Sequence, residues 1–429
     1  MKYQYLSNNK ITITESGVYT LGLVLILTTV GFIIQSNLVY LVTAGLIALL
    51  ITDLILSFFS LKGVKISRFC PTHALRDEEF KIKLKIENTL FTKFLLKISD
   101  CSFTENIPGV KFPAIAELKK GESVVLSYIK QVKARGEYHL NHVVIESSFP
   151  LGLWKIQKNY PSKSKLTIYP EFYEIPQFAV SFHGMRSEFA NTSSSRPGTG
   201  GNFLQIREFQ TGDSLKNIHW RATARTGKLM VRELEKFTLS NLSIVLDSSS
   251  DLILGLGEES NFEYAIKAAA TIANKALSTR YHVKFIYYDQ RKSKIQFVKA
   301  YGRMTPILNH LSMIDVTDKI KVKDLVEASI PEIEKESVAV FVLLSLTADI
   351  TRIIMRLAEQ GIESVLVVFD PKSFAEVVDQ KIGDFYNVFS KLMSGEIFYL
   401  AGEGVRVYVV RQGDYISEAL SRPRMFVAA

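Results

Sequence analysis

The sequence predicts a multidomain chain: an N-terminal transmembrane α-hairpin, an antiparallel β-sandwich, then a doubly wound α/β domain. Three observations carry this prediction. Two long apolar runs stand back to back near the start, short alternating runs with frequent turns follow, and from Leu242 onward strand-like runs alternate with helical ones. The segments assigned are 1–61 for the hairpin, 62–180 for the sandwich, 181–241 for a mobile loop and a basic segment, and 242–429 for the α/β domain.

Residues 17–35 carry no charge. At ~1.5 Å rise per residue they reach ~28 Å, about one hydrocarbon core. Residues 38–59 form a second such run, interrupted only by Asp53. A signal peptide is the competing reading of the first run, but the opening has no compact basic region and a second apolar run follows at once. Lys2 and Lys10 precede the hairpin, Lys62, Lys65 and Arg68 follow it, and the connecting Ser36-Asn37 has no basic residue. Positive-inside counting therefore expects a cell-membrane protein with two transmembrane helices and its soluble domains in the cytoplasm. A carboxylate inside a span is a functional-site hypothesis by default. For Asp53 the favoured reading is a solvated or lysine-paired group near the headgroups, with a proton or ion site as the alternative.

The runs 81–88, 94–100, 123–132, 142–147 and 165–170 are short and alternating or β-rich, without a helical period. That pattern predicts a small antiparallel sandwich, a spacer or a binding surface. Residues 182–202 are polar and rich in Ser and Gly, as a mobile loop is. Neither Gly198-Thr-Gly-Gly201 nor Thr226-Gly227-Lys228 completes a phosphate-binding loop, so no directly bound nucleotide is expected.

The segment 200–235 concentrates Arg207, Lys216, Arg221, Arg225, Lys228 and Arg232 around His219 and Trp220, with Glu208, Asp213, Glu233 and Glu235 interleaved. Asp213 or Ser214 is placed to cap a helix carrying Leu215, Ile218 and Ala222 on one face, Gly227 to stop it, and Leu229–Leu234 to form a strand. So many guanidinium groups either pair with local carboxylates or present a face to an anionic partner. The docking candidates are Arg207, Asp213, His219, Trp220, Arg221, Arg225 and Lys228. No nucleophile or third group accompanies His219 at catalytic spacing, so no catalytic residue is assigned.

From Leu242 the strands 242–247, 282–289, 294–300, 338–346, 363–370 and 405–410 alternate with helices, one opened by the capping box Ser260-Asn-Phe-Glu263 and another stopped by Gly361. Ligands gather beyond the carboxyl ends of such strands. There the first strand ends Asp247-Ser-Ser249-Ser-Asp251, the fourth ends Ser345-Leu-Thr347-Ala-Asp349, and Thr305 opens a helix between them. These hard oxygen donors suit Mg²⁺ or Mn²⁺, and they equally suit helix caps and turns. The formal net charge of +9 is compatible with nucleic acid, an anionic leaflet or an acidic protein. No nucleic-acid recognition motif is present, which favours the last two. Cys70 and Cys101 are too few for a disulfide scaffold and are read as small buried residues.

Arg135-Gly136-Glu-Tyr138, Phe149-Pro150-Leu-Gly152-Leu153-Trp154, Tyr169-Pro170 and, above all, Arg207–Asp213 followed by Ile218–Leu229 carry a family resemblance. The chain resembles the membrane-anchored family known as domain of unknown function fifty-eight. The resemblance implies a transmembrane hairpin, a β-rich region and a von Willebrand factor A-like domain. It implies a MoxR-type AAA+ ATPase as partner, in the assembly or remodelling of other proteins. The von Willebrand A metal pattern, Asp-x-Ser-x-Ser with a Thr and an Asp from two further loops, falls by this resemblance on Asp247, Ser249, Asp251, Thr305 and Asp349. Asp251 stands where the pattern has Ser. The resulting expectation is a non-enzymatic, membrane-tethered interaction adaptor. The alternative is a metal-dependent hydrolase at the cytoplasmic membrane face.

Overall fold

The computed structural model describes residues 9–100, 110–176, 178, 193–210, 213–237, 241–334, 337–376 and 380–422. The chain divides into two compact units, Met1–Tyr169 and Pro170–Ala429.

In the first unit, strand β1 (Asn9–Ile13) leads into helix α1 (Glu15–Ile34), and α2 (Asn37–Ser60) follows after two residues. Both helices are long and apolar enough to span a membrane. Thr14 caps α1 by accepting the N–H of Gly17 at 3.1 Å, and Gln35, in the left-handed region at φ 54°, ends it.

The strands β2 (Val64–Phe69), β3 (His73–Leu75), β4 (Phe80–Asn88), β5 (Lys93–Asp100), β6 (Val110–Lys111), β7 (Ile115–Leu118), β8 (Ser123–Lys130), β9 (Gly136–Ser147) and β10 (Trp154–Tyr169) follow in order. One sheet runs β2-β4-β8; the other runs β1-β10-β9-β5-β6, with β3 beside β10 and β7 beside β5. Period-two alternation buries Phe80, Ile82, Leu84 and Ile86 on one face of β4. Leu84 and Ile86 meet Ile98, Val143 and Ile145 of the other sheet, which makes the sandwich core. Arg68 and Asp100 form an ion pair inside the sandwich, with side chains 0% and 1% exposed. Tyr128 donates to the same carboxylate at 2.7 Å, and Arg68 also donates to the carbonyls of Leu140 and His142. Burial and that carboxylate hold the Tyr128 phenol far above its usual range.

Asp53 corrects an expectation. It is fully buried, and among the described residues no lysine pairs with it. Its carboxylate accepts the backbone N–H groups of Leu151 at 2.9 Å, Leu153 at 3.1 Å and Trp154 at 3.3 Å. Ser57 donates to the carbonyl of Phe149 at 2.7 Å, and the Trp154 indole donates to Leu50 at 3.1 Å. The turn between β9 and β10 is thus seated on α2. The expected boundary at residue 180 also moves: β10 ends at Tyr169, and the residues after it bind the second unit's α4 (Asn261–Ser278). Glu171 pairs with Lys267 at 3.5 Å, and the Tyr173 N–H reaches the Thr271 hydroxyl at 3.2 Å. Cys70 is half-buried, its thiol pushed up to about 11 mainly by burial; Cys101 lies outside the described residues.

The second unit opens with β11 (Ser193–Glu208), paired antiparallel to β12 (Met230–Phe237), with the short helix α3 (Trp220–Thr226) between them. Residues 193–202 are therefore strand rather than the expected loop, and 181–192 lie outside the described residues. Next come β13 (Asn241–Leu246), α4, β14 (His282–Asp289), β15 (Lys294–Tyr301), α5 (Thr305–Leu311), α6 (Val322–Ser329), β16 (Val338–Leu343), α7 (Ala348–Glu359), β17 (Glu363–Phe369), α8 (Pro371–Glu376), α9 (Gln380–Gly402), β18 (Arg406–Val410) and α10 (Ile416–Ala419). The sheet order is β15-β14-β13-β16-β17-β18, all parallel except the edge strand β15. α6, α7 and α9 bury Leu325, Ile350, Ile354, Leu357, Ile397 and Leu400 with Val245, Phe341 and Leu366 of the sheet. α4 contacts β13, β14 and β16 outside that cluster, so both sheet faces are covered. Ser260 caps α4 by accepting the Glu263 N–H at 3.3 Å, as its sequence predicts.

Candidate functional site

The sheet reverses its strand order between β13 and β16, the crevice where doubly wound folds bind ligands. Asp247 stands there at the tip of β13, fully buried. One carboxylate oxygen accepts the Ser249 N–H at 2.8 Å, and the other accepts the Leu344 N–H beyond β16 at 3.1 Å. Burial pushes the carboxyl up to about 6 against the opposing pull of its hydrogen bonds from Ser249 and Leu344, and the nearby Asp251 adds a smaller like-charge push. The Ser248 and Ser249 hydroxyls are buried without a hydrogen bond of ordinary geometry, although that of Ser249 lies close enough to Asp247 to favour its charged form.

The proposed ligands divide. Asp247 and Ser249 share one loop, and Asp251 follows them, exposed. Thr305 does not join them. β15 is antiparallel, so its end, Tyr301, pairs with His282 at the amino end of β14, which pairs in turn with Asn241 at the start of β13. Thr305 opens α5 from that opposite end of the sheet. The antiparallel direction of β15 is what carries Thr305 to the other end of the sheet. The threonine that reaches Asp247's loop is Thr317. It donates its N–H to Ser248 at 2.9 Å, accepts the N–H of Ser250 at 2.8 Å, and is 2% exposed. Its setting, Asp315-Val-Thr317-Asp318, is the same hydroxyl-and-acid type as the other tip loops, and that signal was available in the sequence. Asp349 sits in the first turn of α7, 45% exposed, in ion pairs with Lys323 at 3.3 Å and with Arg352. Among the described residues no three His, Cys, Asp or Glu side chains converge. Asp247 and Ser249, with Thr317 beside them, therefore fit a hard cation in part: the Ser248 and Ser249 hydroxyls are unsatisfied, but that of Thr317 already accepts the Lys319 N–H at 3.2 Å and a single carboxylate stands at the centre.

At the tip of the neighbouring β14 a cavity of about 170 Å³ is lined by Tyr287, Asp289, Arg291, Lys292 and His310 among others. Tyr287 and His310 share a 2.6 Å hydrogen bond; burial holds the imidazole below its usual range and raises the phenol to about 12. No motif announces this pair, because the two residues come from different elements.

The basic segment also departs from one expectation. The single helix from Asp213 breaks in two: a turn of 3₁₀-helix at Leu215–Asn217, then α3. Ile218 bridges to Val231 between them, which buries it and interrupts the helix. Asp213 caps no helix. It takes Arg207 in a two-pronged ion pair at 2.7 and 2.8 Å and accepts the Gln210 N–H, contacts that hold its carboxyl below the usual range. Lys228 pairs with Glu208 at 2.7 Å. His219 caps α3 through Nδ1, which accepts the Ala222 N–H at 3.0 Å and is therefore unprotonated there. Gly227, at φ 70°, ends α3 as expected. Arg207, Asp213, His219 and Lys228 thus hold the segment's shape. Trp220 does not: it is 69% exposed, beside exposed Arg221 and Arg225, which make no hydrogen bond or ion pair among the described residues. Leu215, 68% exposed, comes from the preceding turn.

Among curated proteins, an uncharacterized protein, YeaD of Bacillus subtilis strain 168, is 23% identical over 258 residues, 59% of this chain and 61% of its own length. Among solved structures, the CARDB domain of PF1109 from Pyrococcus furiosus aligns at 9% identity with 25% of this chain and 94% of its own, at a TM-score of 0.17. A variant of superoxide reductase (neelaredoxin) from Ignicoccus hospitalis aligns at 8% identity with 24% of this chain and 78% of its own, also at 0.17. Scores this low carry no argument. Residues 205–372, from the end of β11 through the signature segment and five of the six sheet strands into α8, match the family model described as protein of unknown function DUF58.

Proposed function

We propose that the chain is a non-enzymatic, membrane-tethered protein-interaction adaptor with its soluble units in the cytoplasm. Its partner is a MoxR-type AAA+ ATPase, with which it acts in assembling or remodelling other proteins. The observation that carries this reading is Trp220. A tryptophan 69% exposed, beside two guanidinium groups that make no hydrogen bond or ion pair among the described residues, on a segment where Arg207, Asp213, Glu208 and Lys228 are spent on holding its shape, has the composition of an interface hot spot. Aromatic and arginine side chains give most contact per side chain at such faces, and the guanidinium groups favour an acidic partner surface.

The strand order, the antiparallel edge strand and the Asp247-x-Ser249 loop at the switch point support reading the α/β domain as von Willebrand factor A-like. A Mg²⁺ or Mn²⁺ ion there would be held by Asp247 and Ser249, with Thr317 beside them, and would offer a coordination position to a partner carboxylate.

The test is titration of the full-length chain, in nanodiscs, with the purified ATPase. Trp220→Ala is expected to cost about 2 kcal/mol, roughly a 30-fold loss of affinity. Arg221→Glu with Arg225→Glu should abolish binding at ordinary salt. Unchanged affinity in Trp220→Ala would overturn the reading.

A further inference from the structure

The apolar base of the sandwich raises its own question of what covers it. Leu151, at the tip of the turn seated on α2, is 54% exposed. Leu90 and Phe91, in the loop between β4 and β5, are 42% and 71% exposed, and Leu95 at the start of β5 is 48% exposed. Both loops are fixed to the end of the hairpin. The Thr89 N–H reaches the Gly63 carbonyl at 2.9 Å, Lys93 Nζ reaches that of Phe59 at 3.2 Å, and Phe94 stacks on Phe149 with ring centroids 4.8 Å apart.

Depth follows from helix lengths. α1 has 20 residues, ~30 Å at ~1.5 Å each, about the thickness of a hydrocarbon core. Its first turn touches the β9–β10 turn: a Cβ on Gly17 would lie 2.3 Å from the Leu153 carbonyl oxygen. Leu151–Trp154 therefore stand level with the place where the apolar run of α1 begins. Trp154 is a residue type enriched at that level. Irregular backbone at this depth finds little water, so its N–H groups need partners from the protein. Asp53 supplies them, taking three N–H groups of that turn. This explains a carboxylate inside an apolar helix without any transported ion.

We infer that the base of the sandwich is itself seated in the bilayer, with Leu151 at the boundary between headgroups and acyl chains and Phe91 among the headgroups. The occupant of this surface is lipid, because the helices that run out of it are the two apolar ones. The inference rests on the hairpin crossing the membrane. It adds that the sandwich cannot swing freely on its tether.

The experiment uses the full-length chain with Cys70→Ala and Cys101→Ala, in phosphatidylcholine vesicles. Single cysteines are placed at Leu151, Phe91, Leu25 on α1 and Ile129 on β8, each labelled with the fluorophore NBD, and quenched either by doxyl-labelled lipid or by aqueous iodide. Lipid quenching at Leu25, Leu151 and Phe91, with iodide quenching at Ile129, is the expected result. If Leu25 is quenched by lipid but Leu151 or Phe91 only by iodide, the base is dry of lipid and the inference falls alone. If Leu25 too is quenched only by iodide, the hairpin is not in the membrane and both readings fall.

Discussion

Leu153 ties two helices together through one peptide: its N–H is accepted by Asp53 of α2 at 3.1 Å, and its carbonyl accepts the N–H of Thr14, the cap of α1, at 3.1 Å. The partners are 100 and 139 residues away in sequence. Hairpin and sandwich are locked at this point.

Removing the Asp53 carboxylate should release the turn. In Asp53→Ala three buried or half-buried N–H groups lose their acceptor, each at about 1–3 kcal/mol. Hydrogen exchange at Leu151, Leu153 and Trp154 is expected to accelerate strongly while the sandwich core stays protected. Gly17→Leu should loosen the same turn from the other side, because no side chain fits against the Leu153 carbonyl. Unchanged exchange in both variants would mean that the turn is held by something else.

The ion pair of Arg68 and Asp100 gives a second prediction. Both side chains are buried, so Arg68→Ala strands a carboxylate inside the sandwich and should cost about 3–5 kcal/mol. Denaturant unfolding should show the loss in the first unit's transition, with that of the second unit unmoved.

Asp247 predicts the pH dependence of the second unit. Its folded carboxyl lies near 6, above the ordinary value of 3.8, so the folded state holds its proton longer than the unfolded one. The stability this contributes is complete below the unfolded value and is lost as pH rises through about 6, a decline of about 3 kcal/mol. Asp247→Asn should flatten that slope, at the cost of one of the two backbone bonds to Leu344 or Ser249. Added Mg²⁺ should restore stability above pH 6 and do nothing to the Asn variant. A melting temperature that rises with pH across this window would contradict the account.

Much of the fold is legible because it is written in local periods. The alternation in β4, the unbroken apolar run of β16 and the largely apolar runs of β13 and β17 mark half-buried and fully buried strands directly. What escaped depends on pairing partners distant in sequence. Nothing near Asp53 announces that the turn one hundred residues later will supply its hydrogen bonds. The direction of β15 is set by its short connection to β14, and that direction, which the strand count leaves open, takes Thr305 to the far end of the sheet while Thr317 reaches the Asp247 loop. In the basic segment the residue types were visible, but which of them pair shows only in the folded chain: Arg207 and Lys228 do, while Arg221 and Arg225 make no ion pair among the described residues.

The most direct test of the docking face is photo-cross-linking in living cells, with benzoylphenylalanine in place of Trp220 and, for comparison, in place of Tyr301, which is 55% exposed on the edge strand. The account predicts a light-dependent adduct between position 220 and the MoxR-type ATPase, absent from position 301 and lost when Arg221 and Arg225 are both changed to Glu. No adduct at 220, or adducts of equal yield at 220 and 301, would contradict it.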